Sequence, residues 1–317
     1  MNAMKIGFAL IALVISQFAA AAYPENPIKI IVPYSAGSAD AAARIVAQEI
    51  TKQTGKTVIV ENKTGAGGRI GLDMAAKSPA DGYTFVITDA SYTLLPSLFH
   101  NLPFQMNDLA PVTLVLHMPF VVTVSPQRKI SSVAQLIAFA KEHPGQLNYG
   151  SAGIGSTNQV IAELFKKDAG VDITHVPYRS MGDAMTAMMG GQVDMLISTI
   201  AVAGSYVRAG KAVGIMVPST ARSEALPDVP TAAEAGLPSF IVTNWLGLLA
   251  PRDTPPAAIE WMQQAVARAV ASPEVKASFA SLGVEGSGMS SAEFGRLLRS
   301  EEQRWGDVVH SANIKAE

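Results

Sequence analysis

The chain has 317 residues, 49% hydrophobic and 16% charged, with a net charge of −2 and no cysteine. That length builds one large or two medium cores, and the near-neutral charge gives no reason to expect nucleic acid as a partner. The missing cysteine excludes disulfides, thiolate metal sites and cysteine nucleophiles.

The N-terminus reads as a targeting segment. Lys5, an apolar run over 6–18 broken only by Ser16 and Gln17, and the small residues at 19–22 form a signal peptide, residues 1–22. Its apolar run is shorter than the roughly 20 residues a permanent anchor needs, so cleavage near Ala22 and a periplasmic protein are expected.

From Ile28 onward strand and helix alternate. Strands are predicted at 28–32, 58–60 and 84–88, and helices at 41–52 and 68–76. The first helix has Ala42, Ile45, Val46 and Ile50 on one face and Gly55 as its stop. The long apolar stretch 112–124, broken at His117-Met118-Pro119, leaves this unit. A second unit then repeats the grammar, with helices at 131–142, 157–168 and 183–189 and strands at 147–149 and 193–197. The apolar run 241–250 carries the chain back. Thr254 and Pro255 take the N-cap and first-turn places of a helix, and Ser290 with Glu293 forms a capping box for the terminal one.

This order predicts an α/β fold with a parallel or mostly parallel sheet and right-handed crossovers. Two crossings of the chain make it a two-lobed binding-protein architecture with a hinge of crossing strands. One lobe is expected at 23–120 plus 241–317 and the other at 121–240.

Two loops carry the functional signal, each following a strand and opening into a helix. The first is Tyr34-Ser35-Ala36-Gly37-Ser38-Ala39-Asp40. The second runs from Tyr149-Gly150 into Ser151-Ala152-Gly153-Ile154-Gly155-Ser156-Thr157. Each presents free backbone N–H groups and the positive end of a helix to an anion. In the second, Ser156 is the N-cap and Gln159 its partner at the third helical position, and Gly153 and Gly155 allow close backbone approach.

Ser91, Ser198 and Thr199 join the candidate set, the last two at the C-terminal end of a strand where open α/β sheets bind ligands. Arg179 is either a bidentate carboxylate partner or a solvent-facing side chain. Trp245 reads as pocket wall or core, and the methionines at 181, 185, 188 and 189 as core filler. The segment 64–71 lacks P-loop and dinucleotide spacing and reads as a tight turn before a helix. No His-Glu-x-x-His, Gly-x-Ser-x-Gly or metal-spaced cluster occurs, so no catalytic residue, metal or cofactor is assigned.

Several segments, in this order, resemble one family. They are Val60-Glu61-Asn62-Lys63-Thr64-Gly65-Ala66-Gly67-Gly68, Ala80-Asp81-Gly82-Tyr83-Thr84, Ala110-Pro111-Val112, the second loop, His175-Val176-Pro177-Tyr178, Leu226-Pro227-Asp228-Val229-Pro230-Thr231, Glu234-Ala235-Gly236, Trp245-Leu246-Gly247-Leu248 and Ala250-Pro251. The resemblance is to the Bug or TctC-type periplasmic receptors of tripartite tricarboxylate transporters. It implies a type II Venus-flytrap fold that binds a mono-, di- or tricarboxylate or an aromatic acid between the two loops. It also implies a monomer serving TctA/TctB-type membrane permease subunits.

The chain departs from the family pattern in four places. The first loop is shorter, Gln159 replaces a histidine, Arg179-Ser180 replaces lysine-glycine, and Ser198 replaces an acid. The last change removes a partner for a ligand amine, so a non-amino carboxylate is expected. A periplasmic α/β enzyme acting on a carboxylate and a solute-sensing receptor for a signalling partner remain the alternatives.

Overall fold

The structure, a computed structural model, describes residues 23–34 and 38–315. The expected signal peptide and the loop residues Ser35, Ala36 and Gly37 lie outside the described residues.

Short apolar strands seed the first unit. β1 (Ile28–Val32) lies between β2 (Val58–Asn62) and β3 (Thr84–Asp89), all parallel, with Ile30 opposite Val60 and Phe85. Parallel neighbours need crossovers, which α1 (Ser38–Thr54) and α2 (Arg69–Ala76) supply. α1 buries Ala42, Ala43, Val46 and Ile50 against Ile28 and Ile30. α2 sits so close to the chains leaving β1 and β2 that a Cβ on Gly71 would lie 2.7 Å from both the Pro33 Cβ and the Lys63 carbonyl oxygen. The segment 64–71 is therefore a packing turn, as its glycines suggested.

Beyond the turn Ala90–Leu94 and the short α3 (Leu95–Leu98), β4 (Leu109–Val124) makes the first crossing. It pairs antiparallel with β9 (Thr243–Pro251) from Leu109 to Pro119, then with β7 (Met195–Thr199) from Phe120 to Val124. The expected break at 117–119 is absent. Pro119 sits where one partner ends and the next begins, so its missing N–H removes no interior ladder bond.

The second unit stacks β5 (Asn148–Ser151) between β6 (Thr174–Pro177) and β7 in parallel, and β8 (Val213–Met216) pairs with β4. Its helices are α4 (Val133–Glu142), α5 (Thr157–Ala169), α6 (Met181–Met189) and α7 (Ile200–Arg208). Met185 and Met188 are core, as expected. The combined strand order is β2-β1-β3-β9-β4-β7-β5-β6.

After β9 the chain forms α8 (Pro256–Ala271), α9 (Pro273–Ser281), the two-residue β10 (Glu285–Gly286) and α10 (Ser291–Ser311). The start of α8 differs from expectation. Pro255 is the N-cap and Pro256 the first helical residue, because the Thr254 N–H is still turned back to the Pro251 carbonyl. The Ser290–Glu293 capping box of α10 forms as expected. Phe294 of α10 packs edge-on to Trp245, a core residue, whereas Trp305, Val308 and Val309 join the cluster containing Phe120, Val122 and Val124. The last helix thus seals both halves of the β4 crossing.

Candidate functional site

In both units the C-terminal strand ends open into helix starts, the edge where α/β sheets take ligands. In the first unit Tyr34 leaves β1 and sends its hydroxyl to Asp89 Oδ1 at 3.1 Å, at the end of β3. The same oxygen accepts the N–H and hydroxyl of Ser91. Burial pushes the Asp89 carboxyl above its ordinary value, against the opposing hydrogen bonds, and burial also raises the Tyr34 phenol.

Asp40 does not stand free for a ligand. Its carboxylate holds Arg44 Nε through both oxygens, at 3.1 and 3.0 Å, and accepts Asn62 Nδ2 at 2.9 Å. Asn62 also donates to the Tyr34 carbonyl, so this cluster staples the two ends of the first loop. Ala39 packs into the core beside Ala42 and Ala43. Of the first-loop set, Ser35, Ala36 and Gly37 lie outside the described residues.

The second loop is complete. Ser151 ends β5 fully buried, and Gly153 and Gly155 turn the chain with φ of 112° and 78°. Ser156 caps α5 by accepting the Gln159 N–H. The Gln159 side chain reaches one residue further back than a capping box does, accepting the Gly155 N–H at 2.7 Å, while the Ser156 N–H turns to the Gly153 carbonyl. Among the described residues the N–H groups of Ala152, Ile154, Thr157 and Asn158 have no intramolecular acceptor. Thr157 and Asn158 lie in the first turn of a 13-residue helix, where the dipole adds roughly half a positive charge. Ile154, 62% exposed, projects from this crown.

Beneath the loop lies a residue outside the candidate set, His175 of β6. Its Nε2 is 2.7 Å from Ser151 Oγ and its Nδ1 is 3.2 Å from Gln159 Nε2, with Tyr149 stacked on the ring at 4.9 Å. Because Gln159 Oε1 takes the Gly155 N–H, its amide presents NH2 to Nδ1. Nδ1 must then accept, so the ring proton sits on Nε2 and is donated to Ser151. Ser151 Oγ also accepts the Gly153 N–H and donates to the Gly153 carbonyl, both at 3.1 Å, which completes its valence. The pair resembles a nucleophile and its base but has the wrong polarity: a ring that donates to the hydroxyl cannot deprotonate it. Only the motif His175-Val176-Pro177-Tyr178 marked this histidine in sequence.

The remaining candidates divide. Asn158 Nδ2 donates to the Ile197 carbonyl at 2.8 Å, tying α5 to the end of β7 beside Ser198. Ser198 Oγ is buried without a protein partner, and Thr199 caps α7 by backbone geometry alone. Arg179 is exposed and forms no ion pair among the described residues. Arg69 donates to the Ala66 carbonyl and stacks on Phe99. α5 packs against the turn 90–94 that carries Ser91. No cluster of three metal-ligating side chains occurs among the described residues, and no helix there is long and apolar enough to cross a membrane.

The model of the tripartite tricarboxylate transporter family receptor matches residues 42–314. The chain belongs to this receptor family. The match begins just beyond the first loop. Protein BugT of Bordetella pertussis is 34% identical over 92% of this chain and 91% of its own. A solved structure, R. palustris Rpa4515 with adipate, is 29% identical with a TM-score of 0.79, covering 92% of this chain and 99% of that one. MatC from Rhodopseudomonas palustris with bound malate is 31% identical with a TM-score of 0.75, covering 90% and 100%. The two-lobed binding-protein fold expected for the family is the fold observed.

Proposed function

We propose that this chain is an exported receptor that captures a small organic carboxylate between its two helix-opening loops. It delivers that acid to a TctA/TctB-type membrane permease of a tripartite tricarboxylate transporter. The observation that carries the reading is the crown of unpaired N–H groups on the second loop, which has donors, a helix dipole and no competing side-chain anion. The adipate and malate bound by relatives support the ligand class.

Magnitudes explain why two loops are needed. A helix end contributes at most about 2 kcal/mol and a charge-assisted hydrogen bond about 1.5–3 kcal/mol, whereas micromolar capture requires about 8 kcal/mol. A helix end and one or two such bonds fall short once the roughly 4 kcal/mol or more of freedom lost on binding is deducted, so in this reading the first loop closes on the same ligand. Closure is a hinge motion of lobe 23–120 plus 241–317 against lobe 121–240 about the β4 and β9 crossings. In this reading the signal peptide is removed near Ala22 and the mature protein is a periplasmic monomer.

The polarity of the Ser151–His175 pair favours a receptor over a hydrolytic enzyme. A thermal-shift screen across mono-, di- and tricarboxylates, aromatic acids, amino acids, sugars and divalent metals tests the proposal. Stabilisation by one or a few non-amino carboxylates, without turnover, is expected. A response confined to sugars or metals would overturn it.

A further inference from the structure

The contacts beneath the second loop are satisfied in only one protonation state of His175. With Nε2–H donating to Ser151 and bare Nδ1 accepting from Gln159, the relay Ser151 Oγ–His175–Gln159–Gly155 N–H is satisfied at every link. A second proton would set Nδ1–H against the Gln159 NH2, donor against donor. The only relief within reach is rotation of the Gln159 amide, which turns the same NH2 onto the Gly155 N–H and breaks that bond.

The charges around the ring come from one helix. α5 covers this face with Glu163 and Lys166, and β5 contributes Tyr149. Glu163 is already engaged by the Tyr149 hydroxyl at 2.6 Å and by Lys166 at 3.1 Å. Burial holds the His175 ring below its ordinary value of 6.5, with Lys166 acting in the same direction and Glu163 opposing.

We propose that His175 is the positioning residue of the second loop: its neutral ring locks Gln159 onto Gly155, and proton uptake springs that lock and loosens the ligand. The lock concerns the free protein; the loosening of ligand rests on the carboxylate-receptor reading.

The two are tested separately. In ligand-free protein, NMR follows the His175 ring and the exchange protection of the Gly155 amide from about pH 7.5 to about pH 5. Protection is expected to fall about tenfold as the ring titrates. Gln159→Glu places a carboxylate that accepts from both Gly155 and Nδ1–H. It should raise the titration of the ring and abolish the fall, and His175→Asn should make protection independent of pH. Protection that stays flat while wild-type His175 titrates would overturn the lock, as would either folded variant that keeps the wild-type pH profile. Malate and adipate are then titrated into wild type and Gln159→Glu at both pH values, so that their own protonation cancels. About tenfold greater acid weakening in the wild type is expected, and equal weakening would contradict the release. If no organic acid binds, the receptor reading fails while the amide measurement still decides the lock.

Discussion

At the scale of single residues, the second loop is shaped more by what lies under it than by its own glycines. Gln159→Leu removes two hydrogen-bond partners and leaves the Gly155 N–H and His175 Nδ1 unsatisfied in a half-buried place. Chemical denaturation should show a loss of about 1–3 kcal/mol. The histidines give a pH dependence of definite sign. Burial lowers both His175 and His117, so below about pH 6.5 the unfolded chain binds more protons than the folded one and stability falls with acid. Asp89 and Glu301, raised by burial, act in the opposite sense. The informative quantity is therefore a difference. His175→Asn should lose less stability than the wild type between about pH 7 and about pH 5, measured as the shift in denaturant midpoint.

At the scale of elements, the β5–β7 edge of the second unit rests on Asp194, just before β7. Its carboxylate is 2% exposed, pairs with Arg128 and accepts the Asn148 N–H at 2.9 Å, joining β7 to the start of β5. Asp194→Asn removes the anion from Arg128, which is exposed enough to be solvated, and should cost about 1–3 kcal/mol in denaturant unfolding. Elements of this kind were largely legible. The Gly-stopped helices, the β-branched strands and the Ser290–Glu293 and Ser156 caps state their own geometry within a few residues. What was not legible depends on partners distant in sequence. Gln159 and His175 are 16 residues apart and meet only because β6 pairs with β5 in the register Tyr149–His175. A lone histidine in a strand gives no sign of that. Pro119 read as a break because proline interrupts a ladder, yet the strand changes partner there and passes through. Asp40 read as a loop acid facing ligand, and only the fold shows Arg44 and Asn62 claiming it.

At the scale of the whole molecule, β4 and β9 run side by side between two α/β units and α10 seals both cores. In the proposed closure the two units turn about these crossings. A ligand that binds only the folded, closed form stabilises it by mass action, about 2.7 kcal/mol at a hundredfold excess over its dissociation constant. For a chain of this size that corresponds to roughly 4–5 °C in melting temperature. The most direct measurement is calorimetric titration of the purified protein with a panel of organic acids, malate and adipate among them, each paired with its amide. The account predicts that at least one carboxylate binds at a single site and that its amide does not. Equal binding of acid and amide, or no binding by any carboxylate in the panel, would contradict it.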